Sequence, residues 1–333
     1  MTLGISRKRA PRNRTLTLSN MERVSLRSQI AELIDSPGSP PEGIICGDSL
    51  EIAPKLPHRF VDLLFLDPPY NLNKSFHGIT FSKKAVADYT VWLDRVVTVL
   101  KATLKPTATV YICGDWLSSA SIFEVASSHF VVRNRITWER EKGRGSLSNW
   151  KSASEDIWFC TNSDDYCFNV AAVKLRRRVL APYTNGDGSP KDWMRTDAGN
   201  YRDTHPSNLW SDITIPFWSM PENTDHPAQK SEKLLAKLIL ASSRPGDFVL
   251  DPFVGSGTAC VVARKLGRRF LGIDLNEEYV LWALRRLEMA NSDHSIQGLA
   301  DGVFWERNTI AAQQRIPQAG ALVPRNQGGG LFE

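Results

Sequence analysis

The residues best equipped for chemistry lie in two short runs, each following an apolar stretch. Leu66-Asp67-Pro68-Pro69-Tyr70-Asn71 combines a carboxylate, two residues without a backbone N–H and a flat phenol. The prolines restrict the backbone and donate nothing, which leaves carbonyls to point at a ligand, while Asp67 supplies an acceptor and Tyr70 a face. That is equipment for holding an NH2 group beneath a stacked ring. The bland alternative is a Pro-Pro turn with Asp67 as a cap and Tyr70 in the core. The second run is Asp251-Pro252-Phe253-Val254-Gly255-Ser256-Gly257-Thr258. Its glycines let the backbone approach a ligand, and the helix expected after it offers its positive end. As a dinucleotide fingerprint it is incomplete, because Cys260 stands where the third glycine would be. Asp274, about 20 residues on, stands where an acid usually takes a ribose hydroxyl; the alternative is a helix N-cap before Glu277 and Glu278.

Both runs need a rigid frame, and the patterning supplies one. Val61–Leu66 is an apolar run broken only by Asp62, as expected of a strand buried on both faces of a parallel sheet. Residues 44–46, 109–113, 135–138 and 157–160 are further strand candidates, and Val91, Trp92, Val96, Val99 and Leu100 set out a helical stripe within 86–104. Regularity returns at 231–242, where Leu234, Leu235, Leu238 and Ile239 form a helical face, followed by strand 248–250, a helix near 259–266 and strand 269–273. Between the two regular parts, residues 161–225 carry Lys174, Arg176, Arg177, Arg178, Lys191, Arg195, Arg202, Trp193, Trp210 and Trp218 with little periodicity, and read as an irregular insertion. The expected division is a basic arm and linker at 1–41, an α/β half at 42–160, the insertion at 161–225, a second α/β half at 226–312 and a mobile tail at 313–333. The fold class is α/β, a Rossmann-like mostly parallel sheet flanked by helices.

Composition excludes several function classes. A chain of 333 residues, 42% hydrophobic and 23% charged, buries a sizeable core and is neither disordered nor fibrous. No apolar stretch approaches the roughly 20 residues of a membrane span, and no signal-peptide core opens the chain. Five cysteines without a Cys-x-x-Cys pair suggest no disulfide framework, and the scattered histidines have no metal-ligand spacing. A cytoplasmic protein with no metal is expected. The net charge of +5 equals the charge of Arg7, Lys8, Arg9, Arg12 and Arg14, so a basic arm precedes a neutral body. Such an arm contacts phosphate or is simply solvated.

Taken together, Asp67-Pro68-Pro69-Tyr70, Asp251 to Gly257 and the upstream run His226-Pro227-Ala228-Gln229-Lys230-Ser231 resemble the S-adenosylmethionine-dependent DNA amino-methyltransferases. With the catalytic motif first, a variable segment in the middle and the cofactor motif last, the chain is similar to the β group of that family over about residues 44–287. The resemblance implies a catalytic loop of Asp67, Pro68, Pro69 and Tyr70, and S-adenosylmethionine held by Asp251, Phe253, Gly255, Ser256, Gly257 and Thr258, with Asp274 on the ribose. It also implies an adenine contact near Gly47 and Asp48, and a methionine-end pocket at Gln229, Lys230 and Ser231. Ser231 replaces the family's usual proline, which suits a helix start rather than a ligand contact.

Asp67, where cytosine-N4 members often have serine, favours adenine. The implied chemistry is direct in-line attack by an amino nitrogen whose lone pair Asp67 and the Pro68 carbonyl localise, on a base flipped out of the duplex and stacked on Tyr70. Double-stranded DNA is the expected partner, read by the insertion through Arg176, Arg177 and Arg178, with Lys142, Arg144 and Lys151 on a basic loop nearby. The bland alternatives are a solvated charge run and core tryptophans. Residues 71–88 are a candidate closing loop. A cognate restriction endonuclease on the same site and a homodimer are partners the resemblance allows. The rivals are an N4-cytosine enzyme, an RNA methyltransferase, a non-enzymatic DNA-binding regulator and a nicotinamide oxidoreductase, the last disfavoured by the missing third glycine.

Overall fold

The apolar runs of the sequence become the centre of an eight-stranded sheet. The structure is a computed structural model that describes residues 10–33, 39–72, 83–140, 147–180, 182–197 and 199–306, together with the backbone of 74–76 and 79–81. In chain order the first half comprises α1 (Asn20–Arg27), β1 (Gly43–Cys46), α2 (Ser49–Ile52), β2 (Val61–Leu66), the hairpin β3 (Lys74–Phe76) and β4 (Ile79–Phe81), α3 (Val86–Lys101), β5 (Leu104–Gly114), α4 (Ser119–His129), β6 (Val131–Glu139) and β7 (Ser154–Thr161). Then come β8 (Leu175–Arg178), β9 (Met194–Thr196), β10 (Gly199–Thr204), β11 (Leu209–Trp210), α5 (Glu232–Ser242), β12 (Phe248–Asp251), α6 (Thr258–Lys265), β13 (Arg269–Asp274), α7 (Glu277–Ala290), β14 (Leu299–Ala300) and β15 (Val303–Trp305).

The main sheet has the order β1-β13-β12-β2-β5-β7-β6-β11, with β1, β13, β12, β2 and β5 parallel and β7 antiparallel to both its neighbours. Alternate side chains of one strand feed opposite cores. Leu63 and Phe65 pack with α5, α6 and α7, whereas Leu64 and Leu66 pack with α3 and α4. From the central pair, β12 leads through α6 to β13 on one side, and β2 leads through α3 to β5 on the other. Right-handed crossovers that run in opposite directions lie on opposite faces, so the loops after β12 and β2 part and leave a crevice between them. Only Val249↔Leu63 and Leu250↔Leu64 join the two strands at this seam, yet it brings together the two motif runs.

Three elements differ from the sequence-based expectation. Residues 161–225 are largely ordered: β8, β10 and β9 form a five-stranded sheet with β15 and β14, in the order β14-β15-β8-β10-β9. Its strands are too short for their period to show, and two of them come from residues 299–305, within the stretch expected to belong to the second α/β half. β11 then returns to the main sheet beside β6, with Trp210 opposite Trp138. Trp193 and Trp210 are buried in this part, while Trp218 is exposed. Finally, residues 10–33 of the expected arm are docked. The amides of Arg14 and Leu16 donate to the carbonyls of Trp218 and Asn223, and α1 starts on a reciprocal Ser19–Glu22 capping box. Arg27 Nε reaches Glu277 Oε1 at 2.8 Å, and Arg23 pairs with Glu278, which fixes α1 to α7. The tail expected at 313–333 lies outside the described residues.

Candidate functional site

A cavity of about 290 Å3 opens at the crevice. At one end it is lined by Gly47, Asp48, Asp274, Leu275 and Asn276, and at the other by Asp67, Pro68, Pro69, Tyr70, Arg140 and Glu155. Phe253 and Trp92, with ring centroids 6.1 Å apart, stand between. Each wall has a local cause. Asp48 is the N-cap of α2, its side chain accepting from Leu50 N at 2.8 Å. The N-cap of α7 is Asn276, not Asp274. Asp274 instead ends β13 and accepts from Gly255 N and Asn276 N, each at 2.9 Å, so it clamps the glycine loop to the sheet edge. Burial raises its pKa, and these two amides lower it.

The two glycines of that loop do different things. Gly255, at φ +51°, faces the cavity, and a Cβ there would come 2.9 Å from His226 Nε2. Gly257, at φ +87°, faces away from it: a Cβ would meet Ala283 Cβ at 2.6 Å and Cα at 2.8 Å, so this glycine lets α7 close on the loop. Asp251, Ser256 and Thr258 border a small adjoining recess. The Asp251 carboxyl is buried, which pushes its pKa well up, although it accepts from Phe253 N at 3.1 Å. Ser231 is the N-cap residue of α5, at the helix start where the family's proline stands.

The acceptors Asp48 and Asp274, the aromatic wall and the close backbone at Gly255 fit a nucleoside with its hydroxyls toward the carboxylates. Each oxygen of Asp274 has a second lone pair beyond the amide it already accepts.

At the other end Tyr70 and Lys230 both meet the Asp67 carboxylate. Tyr70 is turned inward, its hydroxyl 3.0 Å from Asp67 Oδ1 and 3.2 Å from Glu155 Oε2. The Lys230 ammonium crosses from the segment before α5 to within 2.5 Å of Asp67 Oδ2, 3.4 Å of Glu155 Oε2 and 3.3 Å of the Tyr70 hydroxyl. Its backbone carbonyl accepts from Thr258 Oγ1 at 3.1 Å. Arg140 pairs with the other oxygen of Glu155. Two cations, two carboxylates and a phenol thus form one buried network. Burial raises the pKa of Asp67 despite the ammonium beside it. Burial works against the charge on Glu155 as well, but Lys230 and Arg140 bring its pKa below the usual value. Burial also opposes the charge on Lys230, and the two carboxylates overcome it and hold the ammonium protonated. The Tyr89 hydroxyl of α3 donates to the Pro69 carbonyl at 3.2 Å and braces the loop.

Glu155, Arg140 and Trp92 were not singled out by sequence reasoning. Glu155 left a signal: it shares its strand parity with the buried Ile157 and Phe159, and an acid on an inward face demands partners.

The expected DNA-contacting residues are dispersed. Lys142 and Arg144 lie outside the described residues. Lys151 is exposed on the segment between β6 and β7, whose base is closed by Arg140 N donating to Ala153 O at 2.6 Å and which also exposes Leu147 and Trp150. The run Arg176–Arg178 is not a uniform charged face. Arg176 makes a two-point pair with Asp203, at 2.7 and 2.8 Å, and lies 5.3 Å from the Trp305 ring centroid. Arg177 is 3.5 Å from Glu306 and remains exposed, as does Arg178. Of the candidate closing loop, residues 73, 77, 78 and 82 lie outside the described residues, and Asn71 holds Lys84 at its base through bonds of 2.7 and 3.0 Å. Among the described residues no group of acids, histidines and cysteines is arranged to hold a metal, and no helix is long and apolar enough to cross a membrane.

Comparison with known proteins places this geometry among relatives. A family described as DNA methylase matches residues 61–285. The chain is 34% identical over 288 residues to the DNA adenine methyltransferase YhdJ of Escherichia coli, covering 84% of this chain and 94% of that one. It is 31% identical over 252 residues to the type II methyltransferase M.HpaI of Haemophilus parainfluenzae, covering 74% of each. Among solved structures, the PvuII cytosine-N4-specific DNA methyltransferase superposes with a TM-score of 0.55 at 19% identity, covering 76% of this chain and 95% of that one. At that identity the likeness is one of fold.

Proposed function

The chain belongs to the S-adenosylmethionine-dependent DNA amino-methyltransferases, and from that premise we propose that it methylates the exocyclic N6 of an adenine flipped out of duplex DNA. The observation that carries the choice of base is the Asp67 carboxylate at the cavity's inner end, where cytosine-N4 members often have serine. The 34% identity to a protein named as an adenine methyltransferase supports the same reading.

S-adenosylmethionine supplies a methyl already activated on a sulfonium. Of the residues that line the cavity, Asp48 and Asp274 would hold its nucleoside hydroxyls and amine, Phe253 and Trp92 would supply the apolar wall, and the backbone at Gly255 would allow close approach. The task left to the protein is an amino nitrogen whose lone pair is delocalised into the base. Asp67 and the Pro68 carbonyl accept the two amino hydrogens, draw the nitrogen toward a tetrahedral geometry and stabilise the positive charge that grows on it. Extrusion of the base costs a few kcal/mol of stacking, which Tyr70 offsets once it turns from its inward position to face the ring.

DNA recognition is assigned to the five-stranded sheet, with Arg177 and Arg178 as the contacts and Arg176 as a structural residue, and to the segment bearing Trp150 and Lys151. The test is incubation with methyl-labelled S-adenosylmethionine and mixed-sequence duplex DNA, followed by nucleoside digestion and mass spectrometry. Label in N6-methyldeoxyadenosine is the expected outcome; label in N4-methyldeoxycytidine overturns the reading of Asp67.

A further inference from the structure

Each oxygen of the Asp67 carboxylate already carries one donor in this structure and keeps one lone pair. Tyr70 donates to Oδ1 at 3.0 Å, and the Lys230 ammonium sits 2.5 Å from Oδ2. An amino group that approaches Oδ2 from the side held by Lys230 at 2.5 Å must move the ammonium, and a buried cation that moves must keep a partner. Lys230 is 5% exposed, so water does not take over that duty. One other carboxylate is within reach. Glu155 Oε2 stands 3.4 Å from the same ammonium, while Oε1 is anchored by Arg140. A shift of well under an ångström converts that distance to a full charge-assisted hydrogen bond.

We propose that Glu155 is a positioning residue that receives the Lys230 ammonium when the target base arrives, and so frees Asp67 Oδ2 for the amino group. Glu155 does not touch the reacting atoms; it acts through Lys230. The Tyr70 hydroxyl, 3.2 Å from Glu155 Oε2, leaves both carboxylates when the phenol swings out to meet the base, which vacates Oδ1 and lets the ammonium occupy its place beside Glu155. The assignment deepens the methyl-transfer reading given above and rests on it.

The charge balance supports the handover. Asp67 is faced by Lys230, by Tyr70 of its own loop, by Glu155 from β7, by Cys113 from β5 and by Asp251 from β12. Burial, and after it the repulsion from Glu155, raises the pKa of Asp67, while Lys230 lowers it. Glu155 is held ionised by Lys230 and Arg140. It is therefore ready to accept the ammonium without first losing a proton.

The test is Glu155→Gln, which keeps the shape and removes the charge. Single-turnover methyl transfer and S-adenosylmethionine binding by titration calorimetry are measured on the full chain across pH. Three changes are expected together: the plateau rate falls tenfold or more because Lys230 stays on Asp67; the cofactor Kd stays within twofold; and the acid limb of the rate moves to lower pH because a repulsive charge next to Asp67 is gone. Glu155→Asp, which keeps a carboxylate, should hold the acid limb at its original pH even where the plateau drops. An unmoved acid limb in Glu155→Gln, or a parallel loss of cofactor binding, overturns the proposal and leaves Glu155 a structural ion-pair partner. A variant too unstable to assay passes the decision to Glu155→Asp, whose displaced limb would equally overturn it. Failure of the adenine reading is separate: it appears as the identity of the methylated base, whereas this proposal stands on the ratio of variant to parent on whichever base is labelled.

Discussion

Lys230 and Asp67 meet across the central seam of the sheet, ammonium to Oδ2 at 2.5 Å, although they lie in different halves of the chain. The contact ties the segment before α5 to the loop after β2, and it makes the two halves of the chain electrostatically dependent on one another. Asp67→Ala should lower methyl transfer by about 10²–10³-fold or more, the scale of removing a preorganised group that stabilises transition-state charge. S-adenosylmethionine binding should be largely kept, because Asp48, Asp274 and the glycine loop remain. Stability should fall by less than the roughly 3–5 kcal/mol of breaking an isolated buried pair, since Glu155 is still 3.4 Å from the ammonium. Equal loss of transfer and cofactor affinity would contradict the division of roles.

Gly257 should not tolerate a side chain. At φ +87°, with a Cβ position 2.8 Å from the Ala283 Cα, Gly257→Ala forces α7 away from the loop. Strained backbone and overpacking together should cost about 2–4 kcal/mol, read as a lower midpoint in urea denaturation with an unchanged slope.

The arginine run should divide in a salt titration. Arg178→Ala should reduce the salt dependence of DNA affinity by roughly 0.9 in the log–log slope if that side chain neutralises one phosphate. Arg176→Ala should leave the slope unchanged and instead lower thermal stability, because its guanidinium is committed to Asp203 and Trp305. The opposite assignment of the two effects would return Arg176 to the DNA-contacting face.

A pH effect is also expected at the start of α5, where Glu222 Oε2 accepts from Glu232 N at 2.9 Å. Glu222 is buried beside Glu232 and Arg286; burial first, and the neighbouring carboxylate second, push its pKa up to about 7. A carboxyl whose folded pKa lies above its unfolded value binds its proton more tightly when folded. Its contribution is therefore present at low pH and is lost as pH rises from about 4.5 to about 7. Melting temperatures taken across that window should fall more steeply in the parent than in Glu222→Gln. Parallel curves would show that Glu222 does not titrate there.

The frame and the two loops of the site were legible because their signals are local. Val61–Leu66 is apolar but for Asp62, as suits a strand covered on both faces, and the Asp67 and Asp251 loops follow strands directly. The small sheet was not legible, because β8 takes its neighbours from β10 and from β15, and the latter pairing links Leu175 to Phe304. No window of sequence contains such a strand's reason for existing. The pairing of Arg176 was hidden for the same reason: three adjacent arginines look alike until Asp203 is placed opposite the first of them. Tyr70 was read as a platform because a phenol beside two prolines suggests one, and only the arrival of Glu155 from β7 explains its inward turn.

The pairing of β15 with β8 also sets a timetable for the nascent chain. Residues 175–204 leave the ribosome long before residues 303–305 exist, so β8 first emerges with one edge uncovered. Phe304 N closes that edge by donating to Lys174 O at 2.8 Å, and the Lys233 ammonium of α5 ties the Trp305 carbonyl to that of Asp212. Among the described residues this small sheet is thus the last element to be completed, after every residue that lines the central cavity has been made.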